Sequence, residues 1–324
     1  PKAAVEANEA EFVLHPIGSG PYKFVEWKQG DSVTLERFDD YYAGAAETQK
    51  LVMKVIPEAS QRTIALETGE VDLAYDLLPN DLEKVRSNSD LQLFEAPSLT
   101  CYYISMNMNK APYDDQKVRD AVNYAIDRQL IIDTIASGSG EPADAIIAPA
   151  VFGYFSPGAY EYDPEKAKSL LAEAGYPNGI DLRVTVNTKY QGNVAIATAF
   201  QQQAKAAGIN VEVEQVDSAA WSDMKKNGGV DCGISNWYVD YSDPESMLYP
   251  MTKTDTNSSF WHNAEFDKLM DEGIATTDEA ERQEIYKKAE HIMTREDWAT
   301  TPLYNETKFY LLNPHITGFE MDAT

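Results

Sequence analysis

Cysteine and histidine are scarce in this 324-residue chain. It has two cysteines, Cys101 and Cys232, and four histidines, His15, His262, His291 and His315, none of them at i, i+4 spacing. Structural zinc sites usually gather four close ligands, so neither a metal nor any other cofactor is expected. The two cysteines lie far apart in sequence with nothing local to join them, so no disulfide is expected either. Basic residues are also few: 27 Lys and Arg against 53 Asp and Glu, for a net charge of −26. Such a surface repels phosphate backbones and anionic lipid heads, which argues against nucleic-acid binding and direct membrane adhesion. No run approaches the roughly 18 apolar residues of a membrane span. The opening Pro1-Lys2-Ala3-Ala4 carries no apolar leader, as in a mature or truncated product. Catalytic signatures are missing as well: no Gly-x-Ser-x-Gly elbow, no phosphate loop, no metal-spaced histidine pair. With 53 acids, accidental carboxylate pairs are common, and turnover is not expected.

What is present is the composition of a globular protein, 43% hydrophobic and 25% charged, with length for two cored domains. Tyr22–Trp27 and Ser32–Arg37 alternate apolar and polar residues on either side of Lys28-Gln29-Gly30-Asp31, which predicts a hairpin. A strand at 51–56, a helix at 60–67 and a strand at 71–75 come next, in the manner of a mixed α/β domain. Cys101–Met108 reads as an apolar strand. After it comes a helix capped by Asp114 or Asp115, with Val118, Val122, Ala125 and Ile126 on one face, and a second helix capped by Asp127. Asp163-Pro164-Glu165 opens the clearest helix, with its stripe Ala167, Leu170, Leu171 and Ala174, and Gly175 closes it. Strands at 182–186, 209–216 and 230–237 then alternate with helices at 194–207 and 218–224, the second capped by Ser218. That order predicts parallel strands joined by right-handed crossovers. Helices near 264–273 and 278–294 and an extended segment at 302–312 end the chain.

Ile17-Gly18-Ser19-Gly20-Pro21-Tyr22 with Glu36–Tyr42, then Val118–Arg128, then Tyr162–Ala167 through Ala174-Gly175-Tyr176-Pro177, then Asp240–Pro244 and Asn263–Asp267 form a series of segments. In this order and spacing they resemble the family 5 extracellular solute-binding proteins, the dipeptide and oligopeptide binders of ABC importers. The resemblance implies a periplasmic-binding-protein-like α/β fold (type II, cluster C) of two lobes, with lobe I truncated. Residues 1–100 would be part of lobe I, residues 101–305 a continuous lobe II, and residues 306–324 the return to lobe I. The crossings would lie near Leu99–Met108 and Thr301–Asn305, and a ligand would sit in the cleft between the lobes. The implied role is capture of a peptide or related small solute for a membrane permease, outside the cytoplasm, in the periplasm or as a cell-surface lipoprotein.

Asp240 is the sharpest candidate for ligand contact. It follows Trp237-Tyr238-Val239 at the end of a strand, where α/β sheets present binding loops. In peptide-binding relatives the matching aspartate pairs with the ligand's α-amino group, and in a closed cleft such a pair is strong. The simpler reading is a loop aspartate capping a turn with Ser242. Trp237 and Tyr238 are expected to line the same wall, beside backbone that an extended peptide could join. Trp221 matches a cleft tryptophan of relatives, though the first turn of a helix also suits plain packing. Some relatives carry an arginine where this chain has Ile234. Lys189 could replace it opposite a carboxylate, though a solvated loop lysine is the simpler reading. Asn107 and Tyr304, at the predicted crossings, could face ligand or order the hinge. Asp240 and Asp243 resemble an acid dyad, which keeps a carboxylate-dependent hydrolase as a remote alternative. An oligosaccharide binder on the same fold is the nearer one, since 19 tyrosines and five tryptophans could supply sugar-facing rings.

Overall fold

The alternation around Lys28-Gln29-Gly30-Asp31 folds as expected, with Gly30 supplying the positive φ of +74° at the turn. β1 (Tyr22–Lys28) and β2 (Ser32–Arg37) pair antiparallel, and β3 (Lys50–Lys54) pairs antiparallel with β2, giving a three-stranded meander. The computed structural model describes residues 2–77, 79–158, 160–252, 260–297 and 300–321. The meander belongs to the first of two compact units, Pro1–Leu78 and Pro79–Thr324. In that unit α1 (Lys2–Ala7) and α2 (Glu9–Leu14) precede the meander; α3 (Ala59–Glu67) and β4 (Leu73–Tyr75) come after it.

In the second unit, α4 (Pro79–Arg86) leads into β5, a strand running without interruption over Gln92–Met106. Asp115 caps α5 (Gln116–Tyr124), its carboxylate accepting the Lys117 N–H at 2.8 Å, and Asp127 caps α6 (Arg128–Ile135), accepting that of Leu130 at 2.9 Å. A short β6 (Gly140–Pro142) comes next. Asp163 caps α7 (Pro164–Glu173) with Pro164 in its first turn, as the sequence predicts. β7 (Ile180–Asn187), α8 (Gln191–Gln203) with a 3₁₀ turn at Ala204–Ala207, β8 (Ile209–Val216), α9 (Ser218–Lys226) and β9 (Cys232–Tyr238) continue the alternation. Asp217, one residue before the expected Ser218, caps α9 and takes the N–H groups of Ala219 and Ala220, both at 2.9 Å. Ser218 Oγ instead donates to Asn187 Oδ1 at 3.2 Å. Then come α10 (Glu245–Thr252), α11 (Ala264–Ala275), α12 (Glu279–His291) with a π turn at Ile292–Glu296, and β10 (Thr300–Leu312).

The sheet of this unit runs β10-β5-β9-β7-β8, with β6 on the outer edge of β10. β7 is parallel to β8 and to β9, while β5 is antiparallel to both β9 and β10. Its two faces carry separate cores. One holds Ile104, Met106, Val122, Leu171, Ile196, Phe200 and Ile234, from β5, α5, α7, α8 and β9. The other holds Leu99, Cys101, Tyr103, Val239, Phe266, Tyr286 and Met293. Burial on both faces explains why the second half of β5, from Cys101 to Met106, reads as a nearly continuous apolar run. Cys101 lies opposite Trp237 and Cys232 opposite Met106, on opposite faces and about 16 Å apart along the strands. That separation excludes a disulfide. Both thiols are buried and free, and burial pushes that of Cys232 up to about 12.

Candidate functional site

The order β9-β7-β8 reverses the direction of chain travel across the sheet at β7. From β7 the chain passes through α8 to β8 on one side, then through α9 to β9 on the other. The two helices lie on opposite faces. Phe200 and Ile196 of α8 join the core with Ile234. Trp221 of α9 covers Gly233 from the other face, where a Cβ would stand 2.9 Å from the indole Cη2. Such a reversal opens a crevice beyond the C-terminal ends of the strands, the usual ligand position in open α/β sheets. The residues at that edge are Thr188–Gln191 after β7 and Val239–Pro244 after β9.

Asp240 stands at this edge, exposed. Its backbone N–H donates to Ser246 Oγ at 3.0 Å, so the loop is fixed while the carboxylate stays open to solvent. Tyr238 is 39% exposed, and the Lys308 ammonium lies 4.2 Å from its ring centre. Trp237 does not share that wall. Successive strand residues point to opposite faces, and the Trp237 indole packs with the second core and donates to the Ser246 carbonyl at 3.2 Å. Its place beside Tyr238 is taken by Asn236, whose Oδ1 lies 3.5 Å from Asn193 Nδ2. Asn193, in the first turn of α8, is buried. Next to these, Tyr102 and Tyr304 stack at 4.5 Å and 6°. Tyr304 is buried, and burial pushes its phenol upward, with Tyr102 and Glu306 adding to the shift. Tyr304 is therefore a packed residue of β10, with only its neighbour Tyr102 partly exposed.

Lys189 is exposed at the same edge, its backbone N–H on Asn187 Oδ1 at 3.0 Å and its ammonium 5.4 Å from the Tyr190 ring. Asn107 and Trp221 are not brought to it. Asn107 follows Met106, which pairs with Cys232 at the start of β9, the end of the strand away from Asp240. There Asn107 is buried, and its side chain bonds the Gly228 carbonyl at 3.4 Å and the Asn109 N–H at 3.1 Å, a turn-forming role. Trp221 reaches Gly233 in that same half of β9 and packs there. Ile234 is fully buried in the first core, so its position faces α8 and not solvent.

The Asp240–Asp243 pair does not form an acid dyad. Both Asp243 oxygens accept from Arg282: Oδ1 from one terminal nitrogen at 2.9 Å, Oδ2 from the other. The sequence gives no sign of this partner, because Arg282 lies in the charged run Glu279–Lys288 and reads as a solvated helix face. Asn193, Asn236 and Ser246 are equally invisible there; none belongs to a local motif, and each is placed by the sheet order. Among the described residues no group of three or more His, Cys, Asp and Glu side chains could hold a metal, and no helix is long and apolar enough to cross a membrane.

Comparison with known proteins matches residues 1–259 to the family described as bacterial extracellular solute-binding proteins, family 5 Middle. Heme-binding protein A of Haemophilus influenzae is 32% identical over 94% of this chain and 57% of its own length. The glutathione-binding protein GsiB of Pectobacterium atrosepticum is 31% identical over 98% of this chain and 64% of its own. The ABC transporter-associated periplasmic binding protein DppA of Helicobacter pylori, solved with the peptide STSA, superposes with a TM-score of 0.80. It is 27% identical over 98% of this chain and 64% of its own. The chain thus spans about three fifths of the length of these relatives.

Proposed function

The chain belongs to the bacterial extracellular solute-binding proteins of family 5, and we propose that it captures a peptide or related amine-bearing solute for an ABC importer. The observation that carries this reading is the exposed Asp240 on a fixed loop at the switch point of the sheet, beside the exposed ring of Tyr238. A carboxylate in that place suits a ligand ammonium, and exclusion of water on closure strengthens the pair. The relatives named for glutathione and solved with STSA both concern peptides, which supports the same class. Lys189 and Lys308 bracket the edge and suit the opposite end of a zwitterionic ligand. In this reading the protein binds without turnover, works outside the cytoplasm, as a lipoprotein or in the periplasm, and delivers to a membrane permease. Residues 1–100 and 306–324 contribute to lobe I and residues 101–305 form lobe II, with the two long strands β5 and β10 carrying the chain through both crossings. The compact units divide instead at 78/79, because β5 and β10 stay paired from Gln92 onward.

Calorimetric titration with a mixed tetrapeptide pool, and with the same pool N-acetylated, tests the anchor. Wild type is expected to prefer the free amines. Asp240→Asn keeps size and an acceptor but removes the charge, and should lose about 2–5 kcal/mol for free amines if the pair is desolvated. An exposed rim pair would lose only about 0–1 kcal/mol. If the variant binds as wild type does, the anchor lies elsewhere. If it weakens while acetylation has no effect, an oligosaccharide-like ligand lying on Tyr238 and the Asn236 amide becomes the better reading.

A further inference from the structure

We propose that Arg282 is a positioning residue for ligand binding: without touching ligand, it fixes the loop that presents Asp240. This rests on the reading of Asp240 as the amine anchor. The loop Val239–Pro244 has little regular structure of its own. Val239 is buried at the sheet edge, with its N–H on the Leu99 carbonyl at 3.4 Å. Beyond it the chain turns sharply, Asp243 N–H reaching the Tyr241 carbonyl at 2.7 Å. Asp243 organises the entry to α10 by accepting the Glu245 N–H at 3.0 Å, and its carbonyl takes the Ser246 N–H at 3.2 Å. Ser246 in turn receives the Asp240 N–H on its hydroxyl and the Trp237 indole on its carbonyl. The anchor is therefore two hydrogen bonds removed from Asp243.

Arg282 holds Asp243 from α12 with both terminal nitrogens. Its own plane is fixed independently. Nε donates to the Gly273 carbonyl of α11 at 2.8 Å, a terminal nitrogen reaches Tyr286 Oη at 3.1 Å, and the guanidinium lies 5.0 Å from the Tyr286 ring centre and 5.7 Å from that of Phe152. Side chains of Arg282 and Asp243 are each 20% exposed, so the pair is only partly screened. A planar fork matched to a carboxylate transmits orientation as well as charge, which a lysine ammonium does not. The loop is closed from the third side by Gly153, where a Cβ would meet Pro244 Cγ at 3.0 Å, and by Ser242 Oγ on the Ala150 carbonyl at 3.3 Å. An arginine, a glycine and the side chains of Ser242, Asp243 and Ser246 hold a loop that exposes Asp240 and Tyr241. Such investment fits a device that sets the position of Asp240 and makes affinity depend on how α11 and α12 pack.

The test uses the full chain and four proteins: wild type, Arg282→Lys, Asp240→Asn and the double variant. Hydrogen exchange read by mass spectrometry reports the loop, and competition between free-amine and N-acetylated tetrapeptide pools reports the anchor. Arg282→Lys is expected to speed exchange over residues 237–246 while α5–α8 stay protected, and to cut the free-amine preference by about tenfold. In the Asp240→Asn background the same change should cost nothing further, because the two act through one contact. Exchange that rises across α11 and α12 as a whole, with the free-amine preference intact, would make Arg282 a stability residue only and overturn the proposal. Additive losses in the double variant would also overturn it. If wild type shows no preference for free amines, the reading of Asp240 fails by itself, and unchanged exchange at 237–246 in Arg282→Lys then rejects the positioning role.

Discussion

Among single residues, Glu290 is a buried carboxyl with one oxygen left unpaired. It is fully buried on α12, Oε1 accepts the Ile147 N–H at 3.0 Å, and Oε2 has no hydrogen-bond partner. Burial, reinforced by Asp144, pushes its carboxyl from 4.5 up to about 8. A carboxyl with a higher pKa folded than unfolded holds a proton that the unfolded chain releases. Its stabilising contribution is full below the unfolded value near 4.5 and is lost progressively as pH rises toward 8. The slope is about 1.4 kcal/mol per pH unit in that window. Glu290→Gln removes the titration, so the variant should gain on wild type by about 3 kcal/mol between pH 5 and pH 7.5. Urea unfolding at the two pH values measures the difference; a gap independent of pH would show that Glu290 does not ionise across the window. Nothing in the sequence marks Glu290, since Lys287-Lys288-Ala289-Glu290-His291 reads as solvated helix. The positions of Asp240, Tyr238 and Lys189 at or just beyond strand ends are legible because strand ends can be read from pattern alone. The opposed directions of Trp237 and Tyr238 are open to the period-two rule, which the reading of adjacent aromatics as one wall overlooks.

At the scale of elements, caps and alternation survive almost unchanged. Asp115, Asp127 and Asp163 each cap the helix their position predicts, and the strands at 180–187 and 209–216 pair in parallel. Their chemistry is local, so sequence carries it. What is not local is which strands become neighbours. The placement of β9 on the far side of β7, with β5 antiparallel to it, puts Asp240 at the C-terminal edge of the parallel strands and Asn107 at the opposite end. One close approach lies at the start of the β7–β8 pairing. Gly179 and Gly208 precede the two strands with φ of +87° and +76°, and the Gly208 carbonyl accepts the Ile180 N–H at 3.1 Å. A Cβ on Gly179 would stand 2.1 Å from that carbonyl oxygen, whereas one on Gly208 meets only the Gly179 Cα at 3.6 Å. Gly208→Ala should therefore cost about 1–2 kcal/mol, the left-handed backbone alone. Gly179→Ala must also part the strands and should cost upward of about 4 kcal/mol. Thermal unfolding of the two variants checks the order; equal costs would show that the close approach relaxes freely.

Over the whole molecule, charge and apolar surface oppose each other. A net charge of −26 keeps copies apart, but only within a screening length of about 8–10 Å at ordinary ionic strength. The first compact unit carries an apolar stripe that the described residues leave open. Trp27, Val33 and Met53 are register neighbours across β1, β2 and β3, with Trp27 44% and Met53 53% exposed. Val13, Leu14 and Ile17 are exposed in the same unit. Exposed apolar side chains in register across neighbouring strands offer a surface on which another copy can dock. Association costs an estimated ~4–15 kcal/mol in lost freedom, so a stripe of this size supports only a weak, concentration-dependent contact between copies. Salt should strengthen it, by screening the repulsion and leaving the apolar term in place; at 1 M the screening length falls to about 3 Å. Sedimentation velocity across a wide concentration range, at low and high salt, should show reversible growth of the sedimentation coefficient. Trp27→Lys combined with Met53→Lys should return the chain to a monomer without changing its helix content. A dilution-stable monomer at both salts would sink the prediction. A second polypeptide that copurifies and holds the chain monomeric would show that the stripe belongs to a contact with a separate partner instead of another copy.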